Sequence, residues 1–326
     1  MKRNILFSVL IASLVLMTSC KPAIKSGYVN VPTVTKNALS GVYDMSPTSP
    51  TTRLYYEEAG QGEPVILLHG HSVDCRMWDD VFFKLAKRYR VIRYDLRGYG
   101  KSGMPEVGFG YLHADDLNNL MEALKIRKAH LAGVSLGGMV LTDFVALYPN
   151  RVLSATISSG AITNIPDRSS APKVAVQLYN DTVFALQRQK VQDNLRKGVI
   201  NLKTDWKRSM KQISGKRYHS IKKKLFRMID DWPAWQWTHP EVDPFIGDQA
   251  DSLLTKQKVH PPILLIIGQH DFDSSKKSMQ RMASLCPGAR IEQMSNAGHF
   301  TVMEYPDDFE KRLEAFINFA DKTVIK

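Results

Sequence analysis

The sequence predicts an α/β protein, built as a mostly parallel, doubly wound sheet with a helical insertion late in the chain. Three observations carry that prediction. Lys128–Ala132 (KAHLA) reads as a short strand that runs into Gly133-Val134-Ser135-Leu136-Gly137. Leu136–Tyr148 then continues as a helix whose apolar residues recur at helical spacing. Pro262–Ile267 (PILLII) is a continuous apolar run, the pattern of a parallel strand buried on both faces. Between a strand at Val152–Ser158 and that run lie about 100 residues of helical character with few strand signals. At 326 residues the length would allow two average domains, but α/β folds of this size commonly form one core with an insertion.

Taken in order, the chain begins with Lys2 and Arg3 ahead of Ile5–Leu16, an apolar run interrupted only by serines. The run is too short for the ~20 residues of a spanning helix and fits the core of a signal peptide. It ends Leu16-Met17-Thr18-Ser19-Cys20, which resembles a bacterial lipobox. That resemblance implies a signal peptide over 1–19, cleavage before Cys20 and a lipid on its sulfur. The protein would then sit in the bacterial cell envelope, anchored to a membrane rather than spanning it. The alternative is a plain secretory signal that happens to contain a cysteine. Residues 20–52 serve as tether, strand and loop. Gly27–Val34 alternates apolar and polar residues as an outer antiparallel strand, with Arg53–Glu57 as its partner. Ser46–Thr52 is polar and proline-punctuated, hence loop.

The Gly133–Gly137 stretch carries the chemistry. A serine with glycine two residues before and after it, between strand and helix, sits on a turn too tight for side chains at the flanking positions. Its hydroxyl is held at the carboxyl edge of the sheet, with a helix start behind it to favour negative charge. A serine nucleophile needs a base, and the base an orienting acid. Gly268-Gln269-His270-Asp271 follows the strand at Pro262–Ile267 and offers Asp271, with Asp273 a near neighbour that could serve instead. Ala289–Met294 reads as the next strand, and Ser295–Phe300 after it carries His299.

These segments resemble the α/β-hydrolase superfamily, which includes small esterases, lactonases and cofactor-free haloperoxidase-like enzymes. Leu67-Leu68-His69-Gly70-His71 is similar to its L-H-G loop, and Asp95–Ser102 (DLRGYGKS) to its D-x-R-G-x-G-x-S loop. Ala114-Asp115-Asp116-Leu117 is similar to the helix before the nucleophile strand. The match covers about Arg53–Ala161 and Pro261 to the C-terminus. It implies core segments at 53–160 and 261–326 and a helical cap at 161–260. Ser135 would be the nucleophile, His299 the base and Asp271 the acid. The backbone N–H groups of His71 and Leu136 would form the oxyanion hole. His69, Asp95, Arg97 and Asp116 would be scaffold. Many relatives carry an aromatic or aliphatic residue where this chain has His71, whose ring is expected to face solvent, the alternative being that it reaches the substrate. No cofactor or metal is implied, and the residues contacting substrate stay unassigned. Relatives that dehalogenate alkanes or open epoxides carry aspartate where Ser135 stands. Serine therefore points to acyl transfer to water: carboxylic esters first, then lactones, thioesters or carbon–carbon cleavage of diketones. The rival is a binding or sensor module that keeps the fold, and an intact Ser135, Asp271 and His299 argue against it.

Two features of composition remain. Cys75 and Cys286 are expected at opposite edges of the sheet, beyond the ~7 Å Cα limit of a disulfide, and no Cys or His pair has zinc spacing. The chain is net +12, and Arg188–Arg227 alone holds fourteen Lys or Arg against Asp193 and Asp205. This is a solvated basic face or an attraction to anionic substrate or lipid surfaces; an exported chain without a recognition motif argues against nucleic acid. The cap's tryptophans, Trp206 and Trp232–Trp237 (WPAWQW), are expected to pack its base.

Overall fold

A strand flanked by parallel neighbours and covered by helices on both sides must be apolar at every position, and its odd and even residues then enter different cores. A computed structural model of the protein shows this arrangement. It describes residues 22–32, 35–36, 43–44, 51–106, 110–162, 189, 192–193, 196–239, 244–247 and 249–324. Cys20 and the lipobox lie outside the described residues, as do most of 163–195.

The strands are β1 (Lys25–Pro32), β2 (Thr35–Lys36), β3 (Tyr43–Asp44), β4 (Thr51–Ala59), β5 (Pro64–Leu68), β6 (Arg90–Tyr94), β7 (Ala129–Val134), β8 (Val152–Ser158), β9 (Ile263–Gly268) and β10 (Arg290–Met294). Apart from the small β2–β3 pair, they form one eight-stranded sheet in the order β1-β4-β6-β5-β7-β8-β9-β10. β1 pairs antiparallel with β4, Val29 opposite Leu54, and β4 pairs antiparallel with β6. All the remaining pairs are parallel. The chain steps from β5 outward to β6 and then back across to β7. The loops after β5 and β7 therefore diverge and leave a crevice at the carboxyl edge, where open α/β sheets bind ligands.

Ten helices flank the sheet among the described residues: α1 (Asp79–Leu85), α2 (His113–Ala123), α3 (Leu136–Leu147), α4 (Val199–Ile213), α5 (Tyr218–Asp231), α6 (Trp235–Thr238), α7 (Gln249–Lys256), α8 (Asp273–Leu285), α9 (Thr301–Glu304) and α10 (Pro306–Val324). Ile66, Leu68, Leu131 and Leu265 pack with Leu117 of α2, Phe144 of α3, Leu254 of α7 and Met282 of α8. The alternate residues Val65, Leu67, Ala132, Leu264 and Ile266 pack with Phe82 of α1 and Phe309 and Leu313 of α10. Each buried Val, Leu, Ile, Phe or Met side chain among them contributes about 1.5–3 kcal/mol.

The insertion divides. α4 and α5 join the second core through Met210, Ile221, Leu225 and Met228. The exposed Lys222, Lys223 and Arg227 form the outer face of α5. The basic stretch is also partly neutralised, by Lys207–Asp230 and by Lys224 with Asp79 and Asp80. α7 falls within the segment expected to be cap, yet Ala250 and Leu254 bury it in the first core, beside α3 and α8. It belongs to the helical layer on the sheet. Cys75 and Cys286 are separate buried thiols, and burial lifts Cys286 to about 12.

His113 opens α2 in full burial, between the rings of Tyr111 and Phe245, and its Nδ1 has no hydrogen-bond partner. Burial, with a smaller push from Arg97, takes its imidazole down to about 3. The unfolded chain titrates it near 6.5, so between these values unfolding takes up a proton. Stability is therefore full above pH 6.5 and is lost as the pH falls, by about 2 kcal/mol at pH 5 from this group. Urea midpoints from pH 7 to pH 5 should fall less steeply for His113→Gln than for the native chain. Parallel slopes would remove His113 from the acid response.

Candidate active site

The turn at Ser135 explains its own sequence. Ser135 has φ +55° and ψ −113°, strained for any residue with a side chain. A Cβ on Gly133 would lie 2.4 Å from the Gly137 carbonyl oxygen, and one on Gly137 would lie 2.5 Å from the Leu68 carbonyl oxygen. Only glycine lets β7, α3 and β5 approach so closely. A hydrogen bond from Ser135 N–H to the Ser158 carbonyl, 2.7 Å, pins the turn to β8.

Three sequence-predicted side chains meet here. Ser135 Oγ lies 2.8 Å from His299 Nε2, and His299 Nδ1 lies 2.8 Å from Asp271 Oδ1. Asp271 also accepts from Phe272 N–H at 2.8 Å and from the Ser275 hydroxyl at 2.9 Å. With three donors on the carboxylate, the imidazole proton is held on Nδ1 and the Nε2 lone pair faces the serine. Asp271 and His299 are buried, whereas the Asp273 side chain is 90% exposed and begins α8 beside Lys276. Asp273 is therefore not brought to the site.

The loops behind the site are braced by buried polar groups. His69 donates from Nδ1 to the Gly70 carbonyl and accepts at Nε2 from Leu96 N–H, and burial lowers its basicity. Asp95 accepts from Cys75 N–H and Lys101 N–H, tying the loop after β6 to the loop after β5. Arg97 and Asp116 form a buried two-point ion pair, and Arg97 also donates to the Pro32 carbonyl of β1.

The His71 ring does not face solvent as expected from the sequence. Its Nδ1 shares a 2.8 Å hydrogen bond with the Tyr99 hydroxyl, and its ring lies edge-on to Trp232 and Trp206. The reason is α4 and the Trp232–Trp237 segment, which descend on this loop. Trp232 and Trp237 pack the base of the cap, as anticipated, with Trp232 stacked on Tyr99. Trp206 does more: its Nε1 donates to Ser72 Oγ at 2.7 Å, and it walls the cavity over the serine.

That cavity encloses about 110 Å³ between Ser135, His71, Trp206, Met210, Ile213 and Phe272. Leu136 opens α3, so its N–H has no partner within the helix. Two further residues escaped the sequence reading. Phe272 stacks on the His299 ring with centroids 4.6 Å apart. Buried Glu304 accepts from Gly215 N–H of the cap turn and from Gly298 N–H, while His299 N–H donates to the Ile213 carbonyl. The cap thus grips the histidine loop directly. Glu304 could have been suspected only from its place five residues after His299, and Phe272 only from its place next to Asp271.

Comparisons with known proteins bear on the fold. Residues 63–306 match the family model described as alpha/beta hydrolase fold. An uncharacterized carboxylesterase of Bacillus subtilis is 29% identical over 259 residues, covering 78% of this chain and 79% of the relative. A 2-hydroxy-6-oxo-6-phenylhexa-2,4-dienoate hydrolase of Comamonas testosteroni is 32% identical over 149 residues, covering 43% of this chain and 52% of that one. A solved thermophilic esterase of Thermogutta terrifontis superposes with a TM-score of 0.69 at 23% identity, covering 90% of this chain and 99% of that one. At that identity the superposition speaks for the fold.

Proposed function

This chain belongs to the α/β-hydrolase fold family, and on that premise we propose that it is a serine hydrolase cleaving carboxylic esters of short acyl groups. The observation that carries the proposal is the unbroken relay from Ser135 Oγ through His299 to Asp271, with 2.8 Å at each link. In this reading His299 Nε2 takes the hydroxyl proton as Ser135 Oγ bonds to the acyl carbon. Asp271 holds the resulting imidazolium in place. The oxyanion is met by the backbone N–H groups of His71 and Leu136, each worth roughly 3–4 kcal/mol of transition-state stabilisation. Collapse expels the alcohol, which leaves with the proton from His299. Water then repeats the cycle on the acyl-enzyme and frees the acid. The cavity of about 110 Å³ beside Ser135 has room for a short acyl chain, well under the ~300 Å³ of common ligand pockets.

Lactones and carbon–carbon bonds beside a ketone use the same machinery, and the Comamonas relative is named for a substrate of the second kind. A fluorophosphonate probe tests the reading: intact mass should show one adduct on the native protein and none on Ser135→Ala. No adduct on the folded native protein would favour a binding module instead.

We further propose that Cys20 carries a lipid that anchors the protein in the cell envelope, with the exposed basic face of α5 toward anionic headgroups. Among the described residues no helix is long and apolar enough to cross a membrane. Cys20→Ser should abolish incorporation of labelled fatty acid; continued labelling would rule the lipobox out.

A further inference from the structure

His130 is the second residue of β7, at the sheet edge opposite Ser135. Five residues at about 3.3 Å each set the two some 17 Å apart. The His130 side chain is 0% exposed, and its Nδ1 lies 2.8 Å from Ser154 Oγ on β8. His130 Nε2 lies 3.2 Å from Asp321 Oδ1, near the end of α10. Glu63 Oε2, just before β5, lies 4.0 Å away. Neither oxygen is aligned for a hydrogen bond, and Nε2 is left without a partner.

A buried ring nitrogen without a hydrogen-bond partner, set beside two carboxylates, is a place that a cation would satisfy. We propose that Glu63, His130 and Asp321 form a binding site for a divalent metal ion of the zinc class, away from the catalytic edge. The donor atoms lie within 4.8 Å of one another. Ligands about 2.1 Å from a tetrahedral ion stand about 3.4 Å apart, so His130 and Asp321 are already spaced for it. Glu63, with its side chain 45% exposed, reaches it by rotation, and water completes the shell. The imidazole selects zinc, nickel or copper over calcium and magnesium. Ser154 fixes the ring as an outer-shell partner. The ion would staple the starts of β5 and β7 to the end of α10. The site is independent of the hydrolase reading and stands or falls separately.

Zinc titration of the EDTA-treated protein, by calorimetry and thermal melting, tests this. The native chain should bind one ion at this site and gain roughly 5 °C in Tm at saturation. Glu63→Gln/Asp321→Asn should bind that ion at least tenfold more weakly and lose the gain, and Ser154→Ala should weaken it about tenfold. Both carboxylates are part-exposed, so the double variant keeps its fold, and Asp321→Asn alone serves as a second check. Equal zinc affinity and Tm gain in native and double variant would place the ion elsewhere and overturn the site. Absence of zinc binding to the native chain would overturn it too.

Discussion

Ser135→Ala is expected to lower kcat for ester hydrolysis by about 10⁶-fold, the scale on which loss of a triad nucleophile acts. Its effect on stability should be small, within about 1 kcal/mol. The hydroxyl makes one hydrogen bond, to His299, and alanine inherits the same backbone. That backbone supplies a sharper version of the test. Ser135 is held at φ +55° by glycine-tight packing against β5 and α3, a conformation costing of order 1–3 kcal/mol for a residue with a Cβ. Ser135→Gly should relieve it and melt higher than Ser135→Ala, while both are equally inactive. A native enzyme trades that strain for a hydroxyl raised above the sheet edge. Retained turnover in either variant would remove Ser135 as nucleophile. Equal melting of the two would show that the turn stores no strain.

The same residues show why the centre of the site could be read from the sequence and its walls could not. Ser135 announces itself because its constraint is local: Gly133 and Gly137 are required by contacts within one strand–turn–helix unit. Asp271 and His299 follow because each stands just beyond a strand, Asp271 after the apolar β9 and His299 after the short edge strand β10, and strand ends are visible in one dimension. The wall of the cavity has no such signature. His71 and Trp206 meet across 135 positions of chain, and the Ser72–Trp206 hydrogen bond spans 134. A histidine with a solvent-facing expectation becomes part of the pocket only because a helix from the insertion lands on it. α7 errs in the opposite direction. Its apolar spacing at Ala250 and Leu254 declares an amphipathic helix, but spacing names no partner, and the partner is α3 rather than the cap. Asp273 is the converse case, close in sequence to Asp271 yet turned out to solvent by the first turn of α8.

Asp116→Ala should be the most damaging single change in the scaffold, at about 3–5 kcal/mol. Asp116 and Arg97 are both fully buried, and the carboxylate accepts from Arg97 at both oxygens. Arg97 in turn lies over the Tyr111 ring and donates to the Pro32 carbonyl, so the pair fastens the loop after β6 to α2 and to β1. Burial holds Asp116 up at about 6 even with the guanidinium beside it, so desolvation outweighs the attraction. The pair is thus costly to assemble and more costly to break. Alanine leaves the guanidinium buried without the carboxylate that accepts two of its hydrogen bonds. Replacing both, as Arg97→Met with Asp116→Leu, removes the two charges together and should cost less than Asp116→Ala alone. Urea midpoints at pH 7.5 for the two singles and the double give the coupling directly. A double variant no more stable than Asp116→Ala would mean that the ion pair holds these loops by its specific geometry and not merely by charge balance. An Asp116→Ala protein as stable as the native one would show that water reaches Arg97, and that the loops are held by the backbone bonds to Asp95 instead.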